Sequence, residues 1–157
     1  MKFYAAADYQ PQCQELFERY QAKILGLLPE ARIAHIGASS IEGAISKGDL
    51  DIFVGVDAKD LEASVLALHT LDFAVKKNTL RTPALCMLES TCGEEVALQV
   101  VANGSEFESF LVFRDRLRNS HSLLDEYNKL KIRCRGMSMK DYRVQKDKFI
   151  SKVLRDC

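Results

Sequence analysis

Asp49 and Asp51 stand two apart at the start of an apolar run, Leu50 to Val56, and a turn of small residues, Gly37-Ala38-Ser39-Ser40, closes the run before it. Side chains alternate along a strand, so the two aspartates project from one face, about 7 Å apart at the backbone. Paired carboxylates of this kind suit a divalent cation. Mg²⁺ prefers hard oxygen ligands, takes only one or two protein carboxylates as a rule, and completes its shell with water and substrate phosphates. Two such ions can activate an attacking oxygen and stabilise a leaving one during in-line displacement at phosphorus. The Gly37 to Ser40 turn offers the complementary feature, a main chain free to approach phosphate with amide and hydroxyl donors directed at it. Plainer readings stand beside these: Asp49 as a strand-edge acid and Gly37 as an ordinary turn glycine.

Elements on either side must hold the two halves together. From Gln12 to Leu28, Leu16, Phe17, Tyr20, Ile24 and Leu27/Leu28 recur at three and four, which predicts an amphipathic helix ended by Pro29. Residues 31–36 and 50–56 read as core strands, the second rich in β-branched residues. Asp57 is expected to cap a helix running to about Leu71, with Asp60 three residues on and Leu61, Val65, Leu66 and Leu68 on its buried face. Three further strands are expected at 73–77, 84–89 and 95–102. After Asn103-Gly104 the period becomes helical, and three helices follow, the second capped by Ser120 or Ser122 and the third by Ser138. This order predicts an α+β fold: a mixed sheet with helices packed mainly on one face and a helical C-terminal part.

With 157 residues, 47% of them apolar, the chain can bury one substantial core, and a single domain over residues 1–157 is expected. The longest apolar stretches fall far short of the roughly 20 residues that a membrane-spanning helix needs. The N-terminus has no apolar core of signal-peptide length, so a cytoplasmic protein is expected. Five cysteines, Cys13, Cys86, Cys92, Cys134 and Cys157, lack zinc-site spacing and fit reduced thiols, Cys86 as core filler and the rest incidental. Formal net charge is zero, yet acids outnumber bases before residue 114 and bases outnumber acids after it. A cleft with metal on one wall and phosphate on the other would use such a division, although solvated helices carry similar excesses.

The Gly-Ser turn followed by Asp-x-Asp resembles the signature of the DNA polymerase β-like nucleotidyltransferase superfamily. A second match is narrower. His35, Gly37, Gly43, Lys47 and Asp51 resemble the GrpB family's His-Ile-Gly-Ser-Thr turn and the glycine, lysine and aspartate after it. Phe113-Arg114-Asp115-Arg116-Leu117-Arg118 is similar to that family's Phe-Arg-Asp-x-Leu-Arg, and Tyr127, Leu130-Lys131, Tyr142, Lys146, Phe149 and Ile150 follow in order. The likeness runs from about residue 10 to 155. Five positions depart from the family pattern: Ala38 for serine, Glu42 and Gly48 for prolines, and Ala97 and Gln99 of Ala97-Leu98-Gln99 for the histidines of a His-x-His. Active nucleotidyltransferases tend to carry a third carboxylate on that later strand, where Gln99 occupies the matching position and Glu95 is the nearest acid of the same parity.

The resemblance implies a nucleotidyltransferase-like sheet and Mg²⁺-dependent transfer of a nucleoside monophosphate from an NTP to an unknown acceptor. Asp49 and Asp51 would then be both the catalytic and the metal residues. Gly37, Ser39, Ser40, Lys47, Arg114, Arg118, Lys131 and Lys146 are the expected phosphate contacts, Arg as a planar fork and Lys as a mobile point charge. Arg114 and Arg118, four apart, share a helix face and fit a surface salt-bridge ladder equally well. Tyr127 and Tyr142 read as core residues with wet hydroxyls rather than base-stacking platforms. His35 could orient the turn, contact phosphate or be a satisfied structural histidine; His69 and His121 receive no role. The alternative function is a module that binds a nucleotide or phosphometabolite without turnover. Neither a P-loop, a dinucleotide fingerprint nor a nucleophile elbow is present, and the balanced charge speaks against nucleic acid as a partner.

Overall fold

The computed structural model describes residues 2–155. Helix α1 (Ala6–Leu27) opens the fold and buries Tyr9, Cys13, Phe17, Tyr20 and Ile24. It starts six residues before the expected Gln12, although Pro11 lies inside it. Proline removes a helical donor. Burial of Tyr9, whose hydroxyl donates to Ala44 O at 2.7 Å, holds this first part of the helix against the loop that follows β1.

Five strands form one mixed sheet in the order β1-β2-β5-β4-β3. Strand β1 (Arg32–Ile36) runs antiparallel to β2 (Leu50–Val56), and β2 is parallel to β5 (Val96–Ala102). On the far side β4 (Leu85–Ser90) pairs antiparallel with β5, and β3 (Phe73–Val75) with β4. The expected α+β fold is the observed one, with strand ends shifted by one or two residues.

Three corrections concern the helix after β2, the first being that Leu66, expected on its buried face, is 68% exposed. Asp57 makes no side-chain cap; a 3₁₀ turn, Ala58–Asp60, intervenes, and the Asp57 carboxylate instead accepts from Asn103 Nδ2 at 3.3 Å. Helix α2 is therefore short, Leu61–Leu68, and a second 3₁₀ turn, His69–Leu71, completes the segment. Ser120 and Ser138 do cap: Leu123 N donates to Ser120 Oγ at 3.3 Å and Asp141 N to Ser138 Oγ at 3.1 Å. They begin α4 (His121–Arg133) and α5 (Met139–Arg155), which follow α3 (Ser109–Arg118).

Alternation along the strands decides what each sheet face carries. Leu50, Ile52 and Val54 of β2 and Val96, Leu98 and Val100 of β5 face α1 and α2 in the largest core cluster. The opposite face carries Asp51 and Phe53 of β2 beside Ala97, Gln99 and Val101 of β5. Phe107, Phe110 and Leu111 cover its Phe53 and Val101 end, which leaves the Asp51 end to the helical C-terminal part. There Leu117, Tyr127, Leu130, Tyr142 and Val153 form a third cluster that also takes in Ile41 and Ala44 from the loop before β2. Cys86 is fully buried as expected, and Cys13 and Cys134 are core residues too, while Cys157 lies outside the described residues. Among the described residues no helix is long and apolar enough to cross a membrane.

Candidate functional site

The β1–β2 pairing sets Ile36 opposite Asp51, so the residue that leaves β1, Gly37, passes directly over the Asp51 carboxylate. Gly37 has φ +73°, and a β-carbon there would lie 2.5 Å from Asp51 Oδ2. Only glycine combines that backbone conformation with so close an approach. A 3₁₀ turn, Ala38–Ser40, follows, with Ser40 Oγ donating to Gly37 O at 2.6 Å.

His35 holds the turn from below. Its Nε2 lies 2.7 Å from Ser39 Oγ, and its ring stacks on Phe17 with centroids 5.0 Å apart. Burial, reinforced by the charges of Arg118 and Arg114, pushes the imidazole down to about 4, so it is neutral at physiological pH. From α3, Arg118 grips the turn's main chain, its Nε donating to Ser40 O at 2.9 Å, and Arg114 grips the end of β1, its Nη1 donating to His35 O at 3.1 Å. Arg114 also pairs with Asp115 at 2.9 Å. Ser39, Ser40, Arg118 and Gly43 line an open depression of about 590 Å³ against the start of α1, which Asp49 and Asp51 do not line.

Asp49 and Asp51 are both half-buried. Burial first, and the charge of Asp49 second, push the Asp51 carboxyl up to about 6; Lys146, Lys47 and Lys76 pull it the other way. Ser46 Oγ reaches Asp49 Oδ1 at 3.5 Å and accepts from Gly48 N at 3.0 Å. Lys146 is half-buried on α5 and Lys47 exposed on the loop before β2. Lys131 differs from both. It is 2% exposed, its ammonium donates to Ile45 O and lies 4.0 Å from the centre of the Tyr127 ring, and burial brings it down to about 7. Tyr127 and Tyr142 are core residues, Tyr127 stacked on Phe149 at 5.3 Å.

The expected phosphate residues thus fall into two groups. Lys47, Lys131 and Lys146 lie within electrostatic reach of the aspartates, whereas Ser39, Ser40, Arg114 and Arg118 build or border the turn, and Gly37 lies between the two groups. On β5, Ala97 is the residue opposite Asp51, and Gln99 stands two pairs further along on the same face, opposite Phe53. Gln99 Oε1 is buried without a hydrogen-bond partner. Glu95 is exposed just before the strand, where its carbonyl accepts from Leu50 N at 2.9 Å. No group of three or more His, Cys, Asp or Glu able to hold a metal ion occurs among the described residues.

Two residues that sequence reasoning passed over belong here. Lys76 N donates to Met87 O at 2.8 Å, which continues the β3–β4 pairing and puts Lys76 in one row with Met87, Gln99 and Phe53 on the Asp51 face. Asn128 of α4 reaches the main chain of the loop before β2. Register across strands would have revealed the first; nothing local marks the second.

The family model described as GrpB protein matches residues 5–156. A UPF0157 protein of Vibrio cholerae is 56% identical over 154 residues, which cover 98% of this chain and 82% of that protein. A UPF0157 protein of Deinococcus radiodurans is 30% identical over 140 residues, 88% of this chain and 73% of its own. Among solved structures, the conserved protein GrpB from Enterococcus faecalis aligns with a TM-score of 0.81 at 21% identity, covering 99% of this chain and 96% of that one. The Cid1 poly(U) polymerase with MgGTP bound aligns with a TM-score of 0.50 at 13% identity over 73% of this chain and 39% of its own. At such identities the likeness is one of fold, and that fold is nucleotidyltransferase-like.

Proposed function

Because the chain belongs to the GrpB family and has a nucleotidyltransferase-like fold, we propose that it binds a nucleoside triphosphate with Mg²⁺ at Asp49 and Asp51 and transfers the nucleoside monophosphate to an acceptor. The observation that carries this reading is the approach of Gly37 to Asp51: the glycine that opens the turn lies against one carboxylate of the pair, where a β-carbon would not fit. In the transfer an acceptor oxygen forms a bond to the α-phosphorus, the bond to pyrophosphate breaks, and the acceptor proton passes to solvent. Lys47 and Lys146, with Lys76 on the sheet face, supply positive charge for the triphosphate. The Gly37 to Ser40 main chain, held by Arg118 at Ser40 and by Arg114 at His35 just before it, orients it.

The donor set fits Mg²⁺. Asp49 and Asp51 offer hard oxygens within three residues of one another, and the burial and the Asp49 charge that raise the Asp51 carboxyl are what a bound dication would offset. When bound, the metal supplies charge stabilisation at phosphorus and a more acidic attacking hydroxyl. The setting we propose is the cytoplasm.

A second reading has its own support. Ala97 and Gln99 give β5 no acid beside Asp51, and a site with only two carboxylates suits a protein that binds a nucleotide or phosphometabolite without turnover. Thermal unfolding with ATP, GTP, CTP and UTP, each with and without Mg²⁺, tests the site. A ligand at 100 times its dissociation constant stabilises by about 2.7 kcal/mol. A Mg²⁺-dependent rise in Tm that Asp51→Asn abolishes supports the site, and no rise with any nucleotide rejects it. Release of pyrophosphate from the bound nucleotide then separates transferase from sensor.

A further inference from the structure

Between the Gly37 to Ser40 turn and Asp49 the chain forms no helix or strand, only a single bridge between Ser46 and Tyr4. Yet this loop brings Lys47 to the site and delivers Asp49 to the start of β2. Gly43, at φ +86°, turns it toward α4, where a β-carbon would already stand 3.4 Å from Leu124.

Asn128 meets the loop there with both ends of its carboxamide. Its Oδ1 accepts from Ile45 N at 3.0 Å and its Nδ2 donates to Gly43 O at 3.0 Å. The carbonyl before one residue and the amide after it are the groups that a parallel strand would take. One side chain therefore replaces a missing strand around Ala44. One helical turn on, Lys131 donates to Ile45 O, and from the other side Tyr9 donates to Ala44 O at 2.7 Å. Ala44 is 0% exposed between them.

We propose that Asn128 is a positioning residue: its amide fixes the main chain at Gly43 and Ile45, and thereby sets Lys47 and Asp49 in the arrangement that binds the metal–nucleotide ligand. This rests on the reading of the aspartates given above. Asn128 acts through the loop, since its own bonds go to the main chain and not to the aspartates. It is half-buried on a helix, so replacing it leaves the cluster around Leu117 and Tyr127 in place.

The test compares wild type, Asn128→Ala and Asn128→Asp by two measurements: amide hydrogen exchange without ligand, and binding of Mn²⁺ with ATP followed by the Mn²⁺ spin signal. The expected result for Asn128→Ala is exchange at Ile45 about tenfold faster with β2 and β5 unchanged, and weaker Mn²⁺·ATP binding by about tenfold. Asn128→Asp keeps the acceptor, so Ile45 stays protected and binding falls less. Wild-type exchange at Ile45 in Asn128→Ala overturns the proposal, as does faster exchange with undiminished Mn²⁺·ATP binding. If wild type itself binds no Mn²⁺·ATP, the reading of the aspartate site fails, and the proposal fails with it. If wild type and Asn128→Ala bind equally, the proposal alone fails.

Discussion

Gly37 lies on Asp51 so closely that a β-carbon on the glycine would stand 2.5 Å from Oδ2 and 3.1 Å from Cβ of the aspartate. Two segments that the chain separates by a loop thus share one small volume. Gly37→Ala meets both the clash and the strain of a positive φ, so a loss of about 2 kcal/mol in urea unfolding is expected. In an Asp51→Ala background the carboxylate oxygen is gone, and the same substitution should cost about 1 kcal/mol less. Strictly additive losses would show that the two residues do not press on one another.

The pH dependence of His35 has a definite sign. Its folded pKa, about 4, lies below the ordinary 6.5, so between those values the unfolded chain binds the proton and the folded chain does not. The contribution is fully present above 6.5 and is lost as pH falls through 4, in all about 3 kcal/mol. An NMR titration of the imidazole should show no protonation until about pH 4; a midpoint near 6.5 would mean that neither burial nor the arginines act on it.

Much of this was legible in the residues because it is local. The caps Ser120 and Ser138 precede their helices by one position or so and needed only a polar side chain ahead of an apolar period. The strand at 50–56 showed itself by its β-branched run. Asp57 looked like the same kind of cap and is not one, because the chain makes a 3₁₀ turn first and Asn103, far along the sequence, engages its carboxylate. Lys76 and Asn128 were illegible for a related reason. The antiparallel register of β3 with β4 puts one of them on the Asp51 face, and the packing of α4 on the loop gives the other its partners. Gly37 was read as a phosphate contact; that it also makes room for Asp51 depends on the β1–β2 register.

Asp51 titrates in the opposite sense to His35. With its carboxyl pushed up to about 6, it contributes stability that is full below its ordinary pKa and lost as pH rises through 6. In metal-free buffer, Asp51→Asn should therefore gain on wild type as pH rises from 4 to 6.5. Lys76→Gln removes a charge that favours the carboxylate and should widen that loss. A difference between wild type and Asp51→Asn that does not change with pH would sink the assignment.

Lys131 is expected to make the protein more stable in mild alkali. Its ammonium is held down to about 7 by burial and by Lys146 and Lys47, against the favourable charges of Asp49 and Asp51, over the face of Tyr127. A lowered folded pKa means that the unfolded chain keeps the proton longer, so unfolding free energy climbs as pH rises from 7 toward 9. Lys131→Met should remove most of that climb. Parallel curves for wild type and variant would place the charge elsewhere.

The parallel pairing of β2 with β5 also bears on how the molecule is made. Leu50 to Val56 and Val96 to Ala102 become neighbours only after everything between them has been synthesised, and long-range parallel pairing is intrinsically slow. Until Val96 arrives, the side of β2 away from β1 is an unpaired edge of apolar residues, the kind of surface that captures strands from other chains. Variants that weaken β5 should therefore reveal themselves first as lost yield of soluble protein at high expression, before any change in the finished fold can be measured.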